Sequence, residues 1–313
     1  MSHHVIAGSG TIGTLIARKL TERGITCVLV SRTRREMSPP GVDVAILDVA
    51  DTAALREVCR GAAALYNCIN PPYDRWPTLW PVLHHSLLSA AESSGAVLCT
   101  LGNVYAYGRV KEPMTPDMPT RARFINGRVR ADMWTRALDA HRSGRVRATE
   151  VRASNFIGPH AQSAVGTGVI PALLRGERPL VRGRADRLHS FTYVDDIAST
   201  MIECATNPRA WGRPWHAPNN PPVTQQDLLD AIADAAAVPR RTARTEPGWL
   251  NFLRSMRTPV SREMRKIRFH FTDEFVVDDR VTREELNCHP TAWAQVVRVT
   301  AEWYRSTYGA TAQ

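Results

Sequence analysis

The sequence predicts an α/β fold, a doubly wound parallel sheet with a smaller, discontinuous C-terminal domain. Three observations predict it. Short strand-like runs alternate with amphipathic helical stretches from Val5 to Arg152, as in parallel strands joined by crossover helices. The first strand, Val5-Ile6-Ala7, runs into a glycine-rich turn and then a helix whose Ile12, Leu15, Ile16 and Leu20 recur at helical spacing. The chain has 313 residues, 43% hydrophobic and 22% charged, which suits one large domain or two smaller ones and is too apolar for disorder.

The elements follow in order. Gly24 closes the first helix, and Cys27-Val28-Leu29-Val30 forms the second strand. Val44-Ala45-Ile46-Leu47 is the third, followed by a helix over 52–60. A fourth strand over 64–69 precedes a helix over 82–93, and a fifth over 96–101 precedes a polar helix over 127–142. Residues 146–152 form the sixth strand, and proline clusters at 71–72, 113–119 and 218–222 mark loops. The expected division is a Rossmann-type domain of residues 1–160 plus 190–217, with residues 161–189 and 218–313 forming the substrate domain.

The turn reads Gly8-Ser9-Gly10-Thr11-Ile12-Gly13. A GxGxxG between strand and helix is the dinucleotide fingerprint. Its glycines allow a tight turn, close approach of a pyrophosphate and close helix–sheet packing, and the helix N-terminus meets the negative charge. In NAD-binding versions an acid ends the second strand and holds the ribose. Here Ser31-Arg32-Thr33-Arg34-Arg35 stands there, and guanidinium forks suit a phosphate. The expected cofactor is therefore NADP(H), held by the glycine-rich turn, by Ser31, Arg32 and Arg35, and by Ile69 and Asn70 at the end of the fourth strand.

Other classes are disfavoured. The net charge is +10, from 40 basic and 30 acidic residues, but the arginines are spread along the chain rather than gathered in an arm, so nucleic acid is not the expected partner. No apolar run spans a membrane and no leader precedes Val5, so a cytoplasmic location is expected. The six cysteines show no CxxC spacing and the histidines no HExxH; neither disulfides nor a metal is expected.

Beyond the first strands the chain resembles the extended short-chain dehydrogenase/reductases, in their epimerase/dehydratase-like branch. Leu47-Asp48-Val49 is similar to that family's adenine-contacting segment, with Asp48 and Val49 the implied contacts. The run from Arg152 to Pro159 is similar to its LRxxNxxGP motif and contributes Ser154 and Asn155. Phe191-Thr192-Tyr193-Val194-Asp195-Asp196-Ile197 resembles its FxyVDDv segment, and the run from Arg283 through Trp303-Tyr304 its C-terminal pattern.

The departures matter as much. The family's catalytic Ser or Thr falls on Leu101, leaving Thr100 and Asn103 as nearby polar candidates. Its YxxxK falls on Phe124-Ile125-Asn126-Gly127-Arg128, so Tyr is Phe and Lys is Arg, with Arg128 left to hold the nicotinamide ribose. Tyr107-Gly108-Arg109-Val110-Lys111 matches YxxxK by letter, but Pro113 and Pro116 prevent the helix that should present it. His189 stands where nucleotide-sugar members carry an anchoring arginine.

Without a side chain to give a proton, the expected activity is NADPH-dependent ketoreduction of a large aromatic, polyketide-like ketone. An adjacent phenol on the substrate would supply the proton. Trp76, Trp80, Trp249, Leu250, Phe252, Leu253 and Met256 would form the pocket wall. In this the chain resembles the angucyclinone polyketide ketoreductases of the simocyclinone type in actinobacteria. Two alternatives stand beside it: a non-catalytic NADP-binding redox-sensing regulator, and a nucleotide-sugar epimerase or dehydratase. A monomer or homodimer is expected.

Overall fold

The computed structural model describes residues 3–33, 39–245, 247–248 and 256–308. Among these, seven strands form one wholly parallel sheet. They are β1 (His3–Ala7), β2 (Cys27–Ser31), β3 (Asp43–Ile46), β4 (Ala62–Asn67), β5 (Val97–Asn103), β6 (Arg147–Ala153) and a last strand at Pro214–His216. The spatial order is β3-β2-β1-β4-β5-β6, with Pro214–His216 beside β6. The direction of build-up reverses between β1 and β4, and in such sheets a crevice opens there at the carboxyl ends of the strands.

The helices are α1 (Thr11–Glu22), α2 (Thr52–Val58), α3 (Trp76–Ser94), α4 (Ile125–Arg142), α5 (Ile170–Leu174), α6 (Val194–Thr206) and α7 (Gln225–Ala235), with four more in the final fifty described residues. Alternation along β1 feeds both faces of the sheet. Ile6 packs with Ile12, Ile16 and Leu20 of α1 and Ile197 and Met201 of α6. Val5 and Ala7 pack on the other face with Leu55, Trp80, Leu87 and Met133 of α2, α3 and α4. A third core, of α5, α7 and the helix Trp293–Tyr308, closes on Leu173, Leu228, Ile232, Val297 and Tyr304. It forms the smaller region beside the Rossmann-type sheet.

The acidic pair Asp195-Asp196 joins the regions. Asp195 accepts from Lys19 Nζ at 2.6 Å and Arg18 Nη2 at 3.1 Å, tying α6 to α1. Asp196 accepts from the Thr291 amide at 2.9 Å and its hydroxyl at 2.6 Å, tying α6 to the C-terminal segment.

Strand positions follow the sequence expectation closely, whereas α3 begins at Trp76 rather than near residue 82. Pro77 occupies the first turn, where its missing N–H is not needed. Burial of Trp76 and Trp80 then carries the helix through Pro81.

Five histidines are buried: His4, His84, His189, His216 and His270. Burial lowers the pKa of each, to about 4 for His84 and His216 and about 3 for His189 and His270. Below pH 6.5 the unfolded chain takes up protons that the folded chain excludes, so stability falls with pH through that window. Each histidine is expected to cost up to about 2 kcal/mol at pH 5. Urea unfolding at pH 7 and pH 5 checks this.

Candidate active site

A cleft of about 1110 Å³ runs along the carboxyl ends of the sheet. Its first end is the glycine-rich turn. Gly8 has φ 111°, a conformation L side chains rarely adopt, and a β-carbon there would lie 2.8 Å from the Cys68 carbonyl. At Gly13 a β-carbon would fall 1.9 Å from the Gly8 oxygen, so only glycine lets α1 lie on the turn. Gly10 is different: a β-carbon there has nothing within 4 Å. Gly10 is also the N-cap of α1 and provides no side-chain cap. The uncapped helix N-terminus thus lines the cleft, an arrangement that fits a dinucleotide pyrophosphate.

Ser9, Gly10, Thr11, Ile69, Asn70, Ser154 and Asn155 line this cleft, while Ile12 is buried in the core. Ser31 at the end of β2 shares a 2.8 Å hydrogen bond with Ser9, Arg32 and Asp48 are exposed, and Val49 is buried. Arg35 lies outside the described residues. Ser154 belongs to a buried network with Thr192 (2.6 Å) and Asn219 (2.9 Å), and the Asn155 amide pairs with the His189 ring.

At the other end stand Leu101, Asn103, Tyr105, Tyr73, Trp76, Arg130 and His270. Asn103 Oδ1 accepts from the Tyr105 N–H at 3.1 Å, which leaves its amide NH₂ for other partners. The Thr100 hydroxyl is buried beneath the strand end without a partner. Phe124 packs edge-on to Tyr105, and Arg128 is exposed on α4. The arginine of α4 that lines the cleft is Arg130, two residues later. Its guanidinium lies 4.5 Å from both the Trp76 and Trp80 ring centres and donates to the Leu101 carbonyl at 3.3 Å. Burial lowers its pKa to about 10, which leaves it charged. Burial raises the pKa values of Tyr73 and Tyr105, so both hydroxyls keep their protons.

Arg130, Tyr73, Tyr105 and His270 were not singled out from the sequence. Periodicity carried a signal for the first: Asn126, Arg130, Met133 and Ala137 share the buried face of α4, which Arg128 leaves.

The YxxxK look-alike does not converge. Tyr107 is fully buried and shares a 2.8 Å hydrogen bond with His216, and Lys111 is exposed. Nearby, Arg152 and Glu150 pair at 2.6 Å in the interior. His189, at the position of the family's arginine, stacks on Phe275 at 4.6 Å. Among the described residues no cluster could hold a metal, and no helix is long and apolar enough to cross a membrane.

The family model described as NAD dependent epimerase/dehydratase family matches residues 4–216, and the chain belongs to that family. No curated protein matches the chain significantly. Among solved structures it is similar to the UDP-glucose 4-epimerase of Thermotoga maritima with UDP-glucose, at 16% identity over 97% of this chain and 99% of that one, with a TM-score of 0.80. It is also similar to the dTDP-glucose 4,6-dehydratase of Bacillus anthracis in complex with NAD (13%, 99% and 98%, 0.78). A third is the UDP-glucose 4-epimerase of Thermus thermophilus with NAD (16%, 97% and 99%, 0.75).

These findings correct three expectations. The expectation of NADP(H) is overturned: the family to which the chain belongs is described as NAD dependent, and the similar structures that name a cofactor hold NAD. Of the basic run, Arg32 is an exposed loop residue beside Ser31, which is hydrogen-bonded to Ser9, and Arg34 and Arg35 lie outside the described residues. An aromatic polyketide ketone as substrate, and ketoreductase activity with a substrate-supplied proton, are both overturned by the family and by the sugar epimerases and dehydratases it resembles. Of the residues expected to form an apolar wall, Trp76 lines the cleft beside Arg130, Trp80 is core and Met256 is exposed, and Trp249, Leu250, Phe252 and Leu253 lie outside the described residues. The cleft is not without hydroxyls, since Tyr73 and Tyr105 enter it.

Two predictions follow from this geometry. Gly13→Ala should cost at least about 1–3 kcal/mol by overpacking, whereas Gly10→Ala should leave unfolding unchanged and weaken dinucleotide binding; denaturation and dinucleotide titration separate the two. Tyr107→Phe should lower stability by about 1–3 kcal/mol through the orphaned His216 nitrogen, with turnover per folded molecule retained.

Proposed function

We propose that this protein is an NAD-dependent oxidoreductase of the epimerase/dehydratase type acting on a nucleotide-linked sugar. The observation that carries this reading is the continuity of the cleft, from an uncapped helix N-terminus at Gly10 to a buried cation at Arg130. Its volume exceeds the ~300–1,000 Å³ of a single small-ligand pocket, in keeping with two ligands end to end.

Gly10, Thr11 and the first turn of α1 would hold the NAD pyrophosphate, Ser31 the adenosine ribose, and Ser154 and Asn155 would border the nicotinamide half. Bound there, NAD supplies a hydride acceptor. The chain's own contribution lies at the substrate oxygen. Arg130 fixes a positive charge beside the Leu101 carbonyl, in a buried setting where it acts more strongly than in water. Tyr105 and the Asn103 amide offer further donors to the same oxygen. Exposed Arg182 at the rim supplies a cation for a diphosphate that His189 does not.

The test is turnover and binding of UDP-glucose and dTDP-glucose by the NAD-loaded protein. Arg130→Met should reduce turnover by about 10²–10³, the cost of removing a fixed charged donor, and Arg128→Ala should change it less than about twofold. Equal losses for the two variants, or none for Arg130→Met, would count against this site.

A further inference from the structure

His270 lies in the short helix Phe269–Thr272, far along the chain from every residue of the sheet. Its ring lines the cleft 5.2 Å from the Tyr105 ring and 4.9 Å from Phe275. Among the described residues the imidazole makes no hydrogen bond, and its Nε2 is buried without a partner. A buried polar atom left unpaired is costly and calls for an explanation.

The neighbours define what a partner must be. Arg130 is donor-only and always charged, and the hydroxyls of Tyr73 and Tyr105 hold their protons. The Asn103 carboxamide oxygen is taken by the Tyr105 N–H. This end of the cleft is therefore rich in donors, and what the neutral imidazole can add to them is its one acceptor nitrogen. A phosphate or carboxylate has no proton to give it. An ammonium group would be repelled by Arg130. A hydroxyl fits: its hydrogen goes to His270 while the donors serve a neighbouring oxygen.

We infer that His270 is a substrate-recognition residue, accepting a hydrogen bond from a neutral hydroxyl next to the oxygen held by Arg130 and Tyr105. The inference rests on the nucleotide-sugar reading of the cleft and adds to it a requirement for one particular sugar hydroxyl.

The experiment is calorimetric titration of the NAD-loaded protein with UDP-glucose and with UDP-glucose analogues each lacking one sugar hydroxyl. Wild type, His270→Phe and His270→Gln are compared. His270→Phe should bind UDP-glucose roughly 10–100-fold more weakly, and one deoxy analogue should bind wild type and His270→Phe equally. Gln, which retains an acceptor, should recover most of the affinity and keep the preference against that analogue. NAD affinity should be the same in all three, showing an intact fold. If the Phe variant loses NAD binding, the Gln variant and the deoxy series decide. Unchanged UDP-glucose affinity in His270→Phe, or no analogue that wild type singles out, overturns the role of His270. Failure of wild type to bind either UDP-glucose or dTDP-glucose while still binding NAD overturns the nucleotide-sugar reading instead, and this role with it.

Discussion

The contact between Gly13 and the Gly8 carbonyl is the constraint on which the rest of the molecule depends. Space for a hydrogen but not a methyl group lets α1 lie directly against β1 and aims its N-terminus along the sheet's carboxyl edge. The same placement brings Lys19 and Arg18, in the last turns of α1, to Asp195 of α6. Asp196 then holds Thr291. One tight turn near the start of the chain is thus connected through two carboxylates to the region that completes the cleft. The motif residues Asp195 and Asp196 are thus ties between elements distant in sequence.

The second organising feature is electrostatic. Arg130 is taken out of water between two indole faces, a cation–π arrangement that strengthens as the charge is desolvated. Burial costs it some basicity but not its charge. It also raises the pKa values of the facing tyrosines. The result is a preorganised cluster of donors at the far end of a cleft whose near end is a helix N-terminus. Both ends favour negative or electron-rich groups, and neither needs a metal ligand set.

Much of the fold was legible in the sequence because its signals are local. The strand runs, the glycine spacing and the helical periodicity of α1 depend on neighbours within a turn or a pleat. The active-site helix shows the limit. Matching YxxxK to residues 124–128 put the cation at Arg128, yet at 3.6 residues per turn a shift of two positions turns a side chain to nearly the opposite face. Arg130 belongs to the buried stripe with Met133 and Ala137, and Arg128 does not. The ribose-site reading is corrected by the family rather than by local geometry: Arg32 is exposed, and Arg34 and Arg35 lie outside the described residues.

By itself the sequence determined the parallel α/β architecture and the strand–glycine turn–helix at its start, because each is written in spacing along the chain. Tertiary structure alone decided which groups share the far end of the cleft. Arg130 from α4, Tyr73 from the turn after β4, Tyr105 from the turn after β5 and His270 from near the C-terminus are brought together by strand order and helix packing. Residues separated by up to two hundred positions become neighbours only when the sheet is assembled, and no local pattern records that distance.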